Sequence, residues 1–289
     1  MIEVKNLSFN YPKSETPAIE SLNFTVPKGK IFGFLGPNGA GKTTTQKILN
    51  GLFKDYDGEV KILDINLKEW DESYYEHIGV SFEFPNLYSK LTAKENLEFF
   101  ASFYTKQTAD PMSLLKMVGL EKDSDKLVGQ FSKGMKMKLN FARALIHDPE
   151  ILFLDEPTSG LDPANQNLIK QLIKKQKDAG KTIFLTTHNM NDAEELCDEV
   201  AFIVKGKIVL IDKPSELKLR TKEKMVEIKV RDNGSLKSYE YPLEGLGNNS
   251  EFIHILKTQK VESIHTREAT LSKIFLEVTG ANLSDENGK

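Results

Sequence analysis

Ile31-Phe32-Gly33-Phe34-Leu35 runs directly into Gly36-Pro37-Asn38-Gly39-Ala40-Gly41-Lys42-Thr43, and this junction decides the fold. The first stretch is short and almost continuously apolar, the pattern of a strand buried on both faces in a parallel sheet. The second fits G-x-x-x-x-G-K-[ST]. Glycines at these positions let backbone N–H groups converge on phosphate oxygens, because no Cβ blocks the approach or resists positive φ. Lys42 brings a point charge to the β- and γ-phosphates, and the Thr43 hydroxyl, with Thr44 beside it, is placed to ligate Mg²⁺. A helix over residues 42–52 turns its positive end toward the anion. A chance match arises in roughly one chain in a hundred of this length; a strand before it and a helix after it lower those odds further.

Such a loop needs an acidic partner, expected on a neighbouring strand. Ile151-Leu152-Phe153-Leu154-Asp155-Glu156 provides two carboxylates at the end of an apolar strand. Asp155 is placed to hold Mg²⁺, directly or through water, and Glu156 to polarise an attacking water. Ile2, Val4, Leu7 and Phe9, then Leu22, Phe24 and Val26, predict strands by their spacing. Residues 182–187 and 200–204 predict two more. Between residues 92 and 147 the period turns helical: Leu97, Phe100 and Ala101, then Leu114, Leu115 and Val118, with Thr92 and Glu95 as a capping box. Lys170, Lys174, Lys175 and Lys177 read as the solvated face of a further helix. Alternating strands and helices imply an α/β fold around a parallel sheet.

After Pro214 the texture changes. Val226, Ile228 and Val230 alternate, a Gly/Asn-rich stretch covers residues 245–249, and two short helical patterns follow. These predict a first domain over residues 1–221, a small α+β domain over 222–280 and a flexible tail over 281–289. Lys+Arg 39 against Asp+Glu 42 leaves a net charge of -3, so no basic field points to nucleic acid. The single cysteine, Cys197, reads as a small core residue in a reducing compartment. The opening residues lack a signal-peptide pattern, and no apolar run approaches the roughly 20 residues of a membrane span. A cytoplasmic chain is expected, reaching a membrane through a partner.

The order of these motifs resembles the ATP-binding subunits of ABC transporters, over residues 2–212. Ser132-Lys133-Gly134-Met135 looks like the family's signature motif and Ser159-Gly160-Leu161-Asp162 like its D-loop. His188 looks like its switch histidine, and Tyr11 sits where the family stacks an aromatic ring on adenine. Read alone, Ser132 is a helix N-cap, His188 a hydrogen-bonded histidine after a strand, and Tyr11 a packed aromatic. The resemblance implies a P-loop NTPase with a parallel-sheet core, an antiparallel β subdomain and a helical subdomain over about residues 92–147. It implies ATP and Mg²⁺ as ligands, Glu156 as base and His188 on the γ-phosphate. It also implies a homodimer or heterodimer closing head to tail, with Ser132 and Gly134 meeting the opposing ATP, docked on a polytopic transmembrane permease at the cytoplasmic face.

Three positions depart from the pattern. Lys133 replaces the usual Gly, with Met135 where Gln is commonest, and Glu83 replaces a Gln that touches Mg²⁺ and the lytic water. Glu is a competent hard-oxygen ligand, so Glu83 joins Thr43 and Asp155 as a metal candidate. Residues 85–88 fall where the family receives the permease. Residues 268–280 look like the closing helix of ATPases serving ABC-2-type exporters of drugs or peptide antibiotics. The alternatives are an importer subunit or a non-transport ATPase of the same superfamily. Two fused ATP domains, a long coiled-coil insertion or zinc cysteines would favour the non-transport reading, and the sequence has none of them.

Overall fold

The computed structural model describes residues 1–220, 225–232, 235–267 and 270–280. Contacts divide the chain into two units, Met1–Lys213 and Pro214–Gly280.

In the first unit, β1 (Ile2–Phe9), β2 (Ile19–Val26), β4 (Asp57–Ile62) and the short β5 (Ile65–Asn66) form an antiparallel sheet in the order β2-β1-β4-β5. A second, six-stranded sheet contains β3 (Ile31–Leu35), β6 (Ile78–Ser81), β7 (Ile151–Asp155), β8 (Thr182–Thr187), β9 (Glu199–Val204) and β10 (Lys207–Asp212). Its order is β10-β9-β3-β8-β7-β6, parallel throughout except for the edge strand β10. β3, β7 and β8 are buried at every position, as their continuous apolar runs require. The order corrects one expectation: β7 is not next to β3, because β8 is inserted between them. The acidic pair therefore reaches the phosphate loop across β8, whose own residues enter the site.

An apolar layer drawn from both sheets holds the unit together. Phe184 is its hub, with ring centroids 5.5 Å from Phe34, 5.9 Å from Phe153, 6.0 Å from Phe24 and 6.1 Å from Phe32. Offset and tilted rings at these distances each add about 0.5–1.5 kcal/mol beyond area burial.

After β3 the chain enters α1 (Lys42–Leu49). The helix ends at Leu49 rather than at residue 52, because Gly51 adopts φ 74 and the Leu52 N–H turns back to the Lys47 carbonyl at 2.9 Å. The helical part contains α2 (Ala93–Ala101), α3 (Pro111–Met117) and α4 (Lys133–Ala144). The capping box on α2 is formed, with Thr92 N–H to Glu95 Oε2 at 2.8 Å and Glu95 N–H to Thr92 Oγ1 at 3.1 Å. α5 (Pro163–Asp178) and α6 (Met190–Leu196) cover the sheet. The lysine face of α5 is not simply solvated. Lys170 pairs with Asp192 and Glu195, Lys174 with Glu195, and Lys177 with Asp198. Tertiary packing brings α6 beside α5, which helical periodicity alone does not reveal.

The second unit contains α7 (Pro214–Arg220), β11 (Met225–Asp232), β12 (Ser235–Pro242), α8 (Ser250–Thr258), β13 (Lys260–Arg267) and α9 (Leu271–Thr279). Its boundary falls before Pro214 rather than at residue 222, since α7 packs against α9. The sheet order is β12-β11-β13, all antiparallel. Val226, Ile228 and Val230 bury one face of β11 against Phe252 and Ile255 of α8. The closing helix expected over 268–280 is α9, capped by Thr270. Glu268, Ala269 and the tail over 281–289 lie outside the described residues.

Candidate nucleotide-binding site

The loop between β3 and α1 is shaped for close backbone approach. At Gly41, with φ 108, a Cβ would lie 2.7 Å from Ile19 Cγ2 and 2.9 Å from the Ala18 carbonyl oxygen, so only glycine fits. Gly36, Pro37, Asn38, Gly39 and Ala40 form the rest of the turn. Lys42 folds over it, its Nζ donating to the carbonyls of Gly36 at 2.7 Å and Pro37 at 3.1 Å. Thr43 lies near enough to the Asp155 carboxyl to favour its charged form, which places the loop beside the end of β7. Thr44 is buried and shares a 3.1 Å hydrogen bond with the Tyr11 hydroxyl. Tyr11 remains 39% exposed, with its ring edge-on to Phe9 and Phe53.

Successive residues at the ends of β7 and β8 separate the two carboxylates. Asp155 pairs in register with Thr186 and accepts a short hydrogen bond from the Thr186 hydroxyl, which also lies 3.2 Å from the Gln46 side-chain amide of α1. Glu156 adopts φ 47, a conformation that costs a bulky residue about 1–3 kcal/mol and is held only by its surroundings. Those surroundings are clear. Glu156 Oε1 accepts from the His188 N–H at 2.9 Å and from His188 Nδ1 at 2.7 Å, and Oε2 accepts from the Thr187 hydroxyl at 3.1 Å. Strand alternation sends Thr186 to one carboxylate and Thr187 to the other. Sequence reasoning missed Thr186, Thr187 and Gln46; for the two threonines, polar residues closing an otherwise apolar strand were the available signal.

Glu83 joins this cluster. Burial, followed by the charges of Asp155 and Glu156, holds its carboxyl above the usual range, with Lys133 and His188 acting the other way. Asp155 is also raised, chiefly by burial and then by Glu156, against hydrogen bonds from Thr186 and Thr43 and the charge of Lys42. Glu83 and Asp155, both raised, mark a site short of positive charge, although among the described residues no three His, Cys, Asp or Glu side chains are grouped to hold a metal ion.

Ser132 is the N-cap of α4, accepting from the Met135 N–H at 3.2 Å. Gly134 lies against Leu161 and Asn165 of the same chain. Lys133 settles on Gly160, where its Cε would lie 2.9 Å from a Cβ; a side chain at 160 would displace it. Within one chain, then, Lys133 and Gly134 touch the D-loop region. Asp162 caps α5 through the N–H groups of Ala164 and Asn165, and Ser159 N–H bonds back to the Glu156 carbonyl at 3.0 Å. The segment at 85–88 is pinned by Asn96, which accepts from the Tyr88 N–H at 2.9 Å and donates to its carbonyl at 3.0 Å. Phe84 beside it is 73% exposed.

A glycine-rich turn at the end of a central parallel strand, with paired carboxylates two strands away, defines a P-loop ATPase. A family model described as ABC transporter matches residues 19–159, and one described as the fluoroquinolone efflux ABC transporter C-terminal domain matches residues 224–268. A fluoroquinolones export ATP-binding protein of Mycobacterium tuberculosis is 54% identical over 285 residues, covering 98% of this chain and 95% of the relative. A bacitracin transport ATP-binding protein of Bacillus licheniformis is 42% identical, covering 66% of this chain and 63% of its own length. Among solved structures, a dimeric post-hydrolysis state of an ATP-binding cassette bound to ADP and Pi aligns with a TM-score of 0.69 at 30% identity, covering 74% of this chain and 98% of the other. The chain belongs to the ATP-binding subunits of ABC transporters. It is an ATPase that works with a separate transmembrane partner and pairs with another ATP-binding subunit. Among the described residues no helix is long and apolar enough to cross a membrane.

Proposed function

We propose that this chain powers export of planar amphiphilic drugs of the fluoroquinolone type, from the cytoplasmic face of the membrane. The observation that carries the substrate class is the full-length similarity to the Mycobacterium tuberculosis protein, which extends through the C-terminal unit.

At the site, backbone N–H groups of residues 36–43 and the Lys42 ammonium bind the phosphates, and Tyr11 offers its ring to adenine. Thr43, Asp155 and Glu83 would hold Mg²⁺, which would neutralise charge on the phosphate oxygens. Glu156 takes the proton of the attacking water, and His188 fixes its carboxylate and lies ready for the γ-phosphate. Ser132 and Gly134, at the start of α4, bind the nucleotide of the opposing subunit, whether a second copy or a relative. Lys133 and Met135 flank that contact. Ser159, Gly160, Leu161 and Asp162 link it to Glu156 of their own chain. No nucleic-acid partner is part of this reading.

The test has two stages. Tagged Glu156→Gln protein with ATP should bring down a polytopic membrane protein from detergent-solubilised membranes. The wild-type pair, reconstituted in vesicles with the ATPase outside, should accumulate fluorescent ciprofloxacin in an ATP-dependent way. Capture without drug uptake would leave an ABC motor and remove the proposed substrate class.

A further inference from the structure

A cavity of about 170 Å³ opens in the first unit where the turn after α1 meets the end of β5 and the 3-10 turn Glu72–Glu76. Phe53, Tyr56, Trp70, Tyr74 and Tyr75 line it with aromatic rings. Their polar ends hold them in place. Trp70 Nε1 donates to the Ile62 carbonyl at 3.2 Å, and the Tyr74 hydroxyl donates to the Leu49 carbonyl at the end of α1. The Trp70 and Tyr74 ring centroids lie 5.6 Å apart, and those of Tyr74 and Tyr75 5.8 Å. Phe53 reaches the candidate nucleotide site, edge-on to Tyr11.

Charges of both signs stand around these rings. Lys68 is fixed, its Nζ donating to the Tyr56 carbonyl at 2.8 Å and lying 4.4 Å from the Tyr56 ring centroid. Neither contact neutralises the ammonium, which keeps further N–H donors to offer. Lys54 lines the same cavity, as do Asp71 and Glu72. Asp71 caps the 3-10 turn, and its hydrogen bonds from the Ser73 hydroxyl and N–H hold its carboxyl below the usual range, so it is ionised at neutral pH. Among the described residues none of these four side chains is in an ion pair with another residue. An aromatic wall suits a flat ring system, which stacks on it in offset or edge-on contact. The volume of about 170 Å³ is below the roughly 300–1,000 Å³ that engulfs a whole drug-sized molecule. A ligand therefore inserts its flat core and leaves its substituents at the charged rim.

We propose that this cavity is a binding site for the exported drug on the ATPase subunit itself, taking a planar aromatic zwitterion with its core against Trp70 and Tyr74, its carboxylate on Lys68 and Lys54, and its amine toward Asp71 and Glu72. The inference rests on the drug-export reading and adds a place where this chain meets the substrate. Ciprofloxacin has that chemistry, joining a flat two-ring core to a carboxylate and a basic amine. A polyanion would meet Asp71 and Glu72, an aromatic cation without a carboxylate would meet two unpaired lysines, and an aliphatic chain would forgo the stacking.

Trp70 is the only tryptophan in the chain, so intrinsic fluorescence reads this cavity directly. Ciprofloxacin is titrated into the purified full chain with excess ADP filling the nucleotide site and free tryptophan as the optical control. Saturable quenching should appear, and the anisotropy of the drug's own fluorescence should rise with the same midpoint. Lys68→Glu should weaken binding about fivefold and added salt should weaken it further, as exposed charge pairs do. Trp70→Leu, followed by drug anisotropy, should weaken it about five- to tenfold through lost stacking. A decarboxylated analogue should bind the parent protein more weakly and be indifferent to Lys68→Glu. Melting temperature reports the fold of each variant, and the analogue tests the carboxylate contact on the unaltered chain.

Absence of saturable binding, binding that only appears without ADP, affinity unchanged by Lys68→Glu and Trp70→Leu, or equal affinity for the decarboxylated analogue would each overturn the inference. Drug uptake by the reconstituted pump in any of those cases would leave the export reading standing. Binding at the cavity without uptake would remove the export reading, and with it the claim that the ligand is the exported drug.

Discussion

Replacing Glu156 by Gln separates chemistry from structure because of how the side chain is held. Oε1 takes two hydrogen bonds, from the N–H and Nδ1 of His188, and Oε2 takes one from the Thr187 hydroxyl. The amide can keep its carbonyl oxygen on His188 and turn its NH₂ toward the Thr187 oxygen, reversing one bond and keeping the others. The stability change expected from one altered hydrogen bond is about 1 kcal/mol. Loss of the base is a different magnitude. General-base catalysis contributes about 10²–10⁴-fold, which at about 1.36 kcal/mol per decade is roughly 3–5 kcal/mol of barrier. Phosphate release at saturating ATP should therefore fall by at least about a hundredfold, while ATP affinity and melting temperature stay close to wild type. ATP should then drive the chain into a long-lived dimer visible by size exclusion. A variant hydrolysing ATP within about threefold of the parent would refute the assignment, since that is only about 0.6 kcal/mol. A parallel loss of ATP binding would mean that Glu156 shapes the loop rather than the reaction.

Other sites give further outcomes. The Glu83 carboxyl is held above its ordinary value of 4.5 by burial and by Asp155 and Glu156. A raised carboxyl pKa makes ionisation costlier in the folded state, so its favourable contribution is complete below pH 4.5 and lost as pH rises through the folded value. Glu83→Gln should accordingly raise the melting temperature of the nucleotide-free protein at pH 7, with the gain shrinking toward pH 4.5; a gain independent of pH would count against the carboxylate cluster. Phe184→Ala removes the hub of the aromatic layer and should cost about 3–5 kcal/mol in urea unfolding. Gly79→Ala in β6 would put a Cβ against the Ala144 carbonyl, with Pro149 Cγ at 2.8 Å and Leu152 Cδ2 at 2.9 Å. Overpacking there should cost about 1–3 kcal/mol by the same measurement, and a neutral result would mean that α4 is free to move off the sheet.

The parts of this fold that are legible in the sequence are those set by local chemistry. The run over residues 31–35 followed by the glycine-rich turn specifies a buried strand and a phosphate loop, because few other backbones accept that combination. Asp155 and Glu156 are legible because charges end an otherwise apolar strand. What stays hidden depends on which strands become neighbours. Nothing local says that β8 separates β3 from β7, so nothing local says that Thr186 and Thr187 will hold the two carboxylates. The same gap conceals the ion pairs of α5, which require α6 alongside, and the contact of Lys133 with Gly160. Arg143 is the strongest case. On α4 it falls in a helical pattern as an ordinary last-turn cation, and only the approach of β6 and α2 buries it among Phe82, Phe100 and neutral carbonyls. A cation that local structure would leave in solvent is therefore held at the edge of a groove by the tertiary fold. Its burial follows from partners far apart in sequence, the carbonyls of Val80 and Asn86 together with Asn140 of α4 itself.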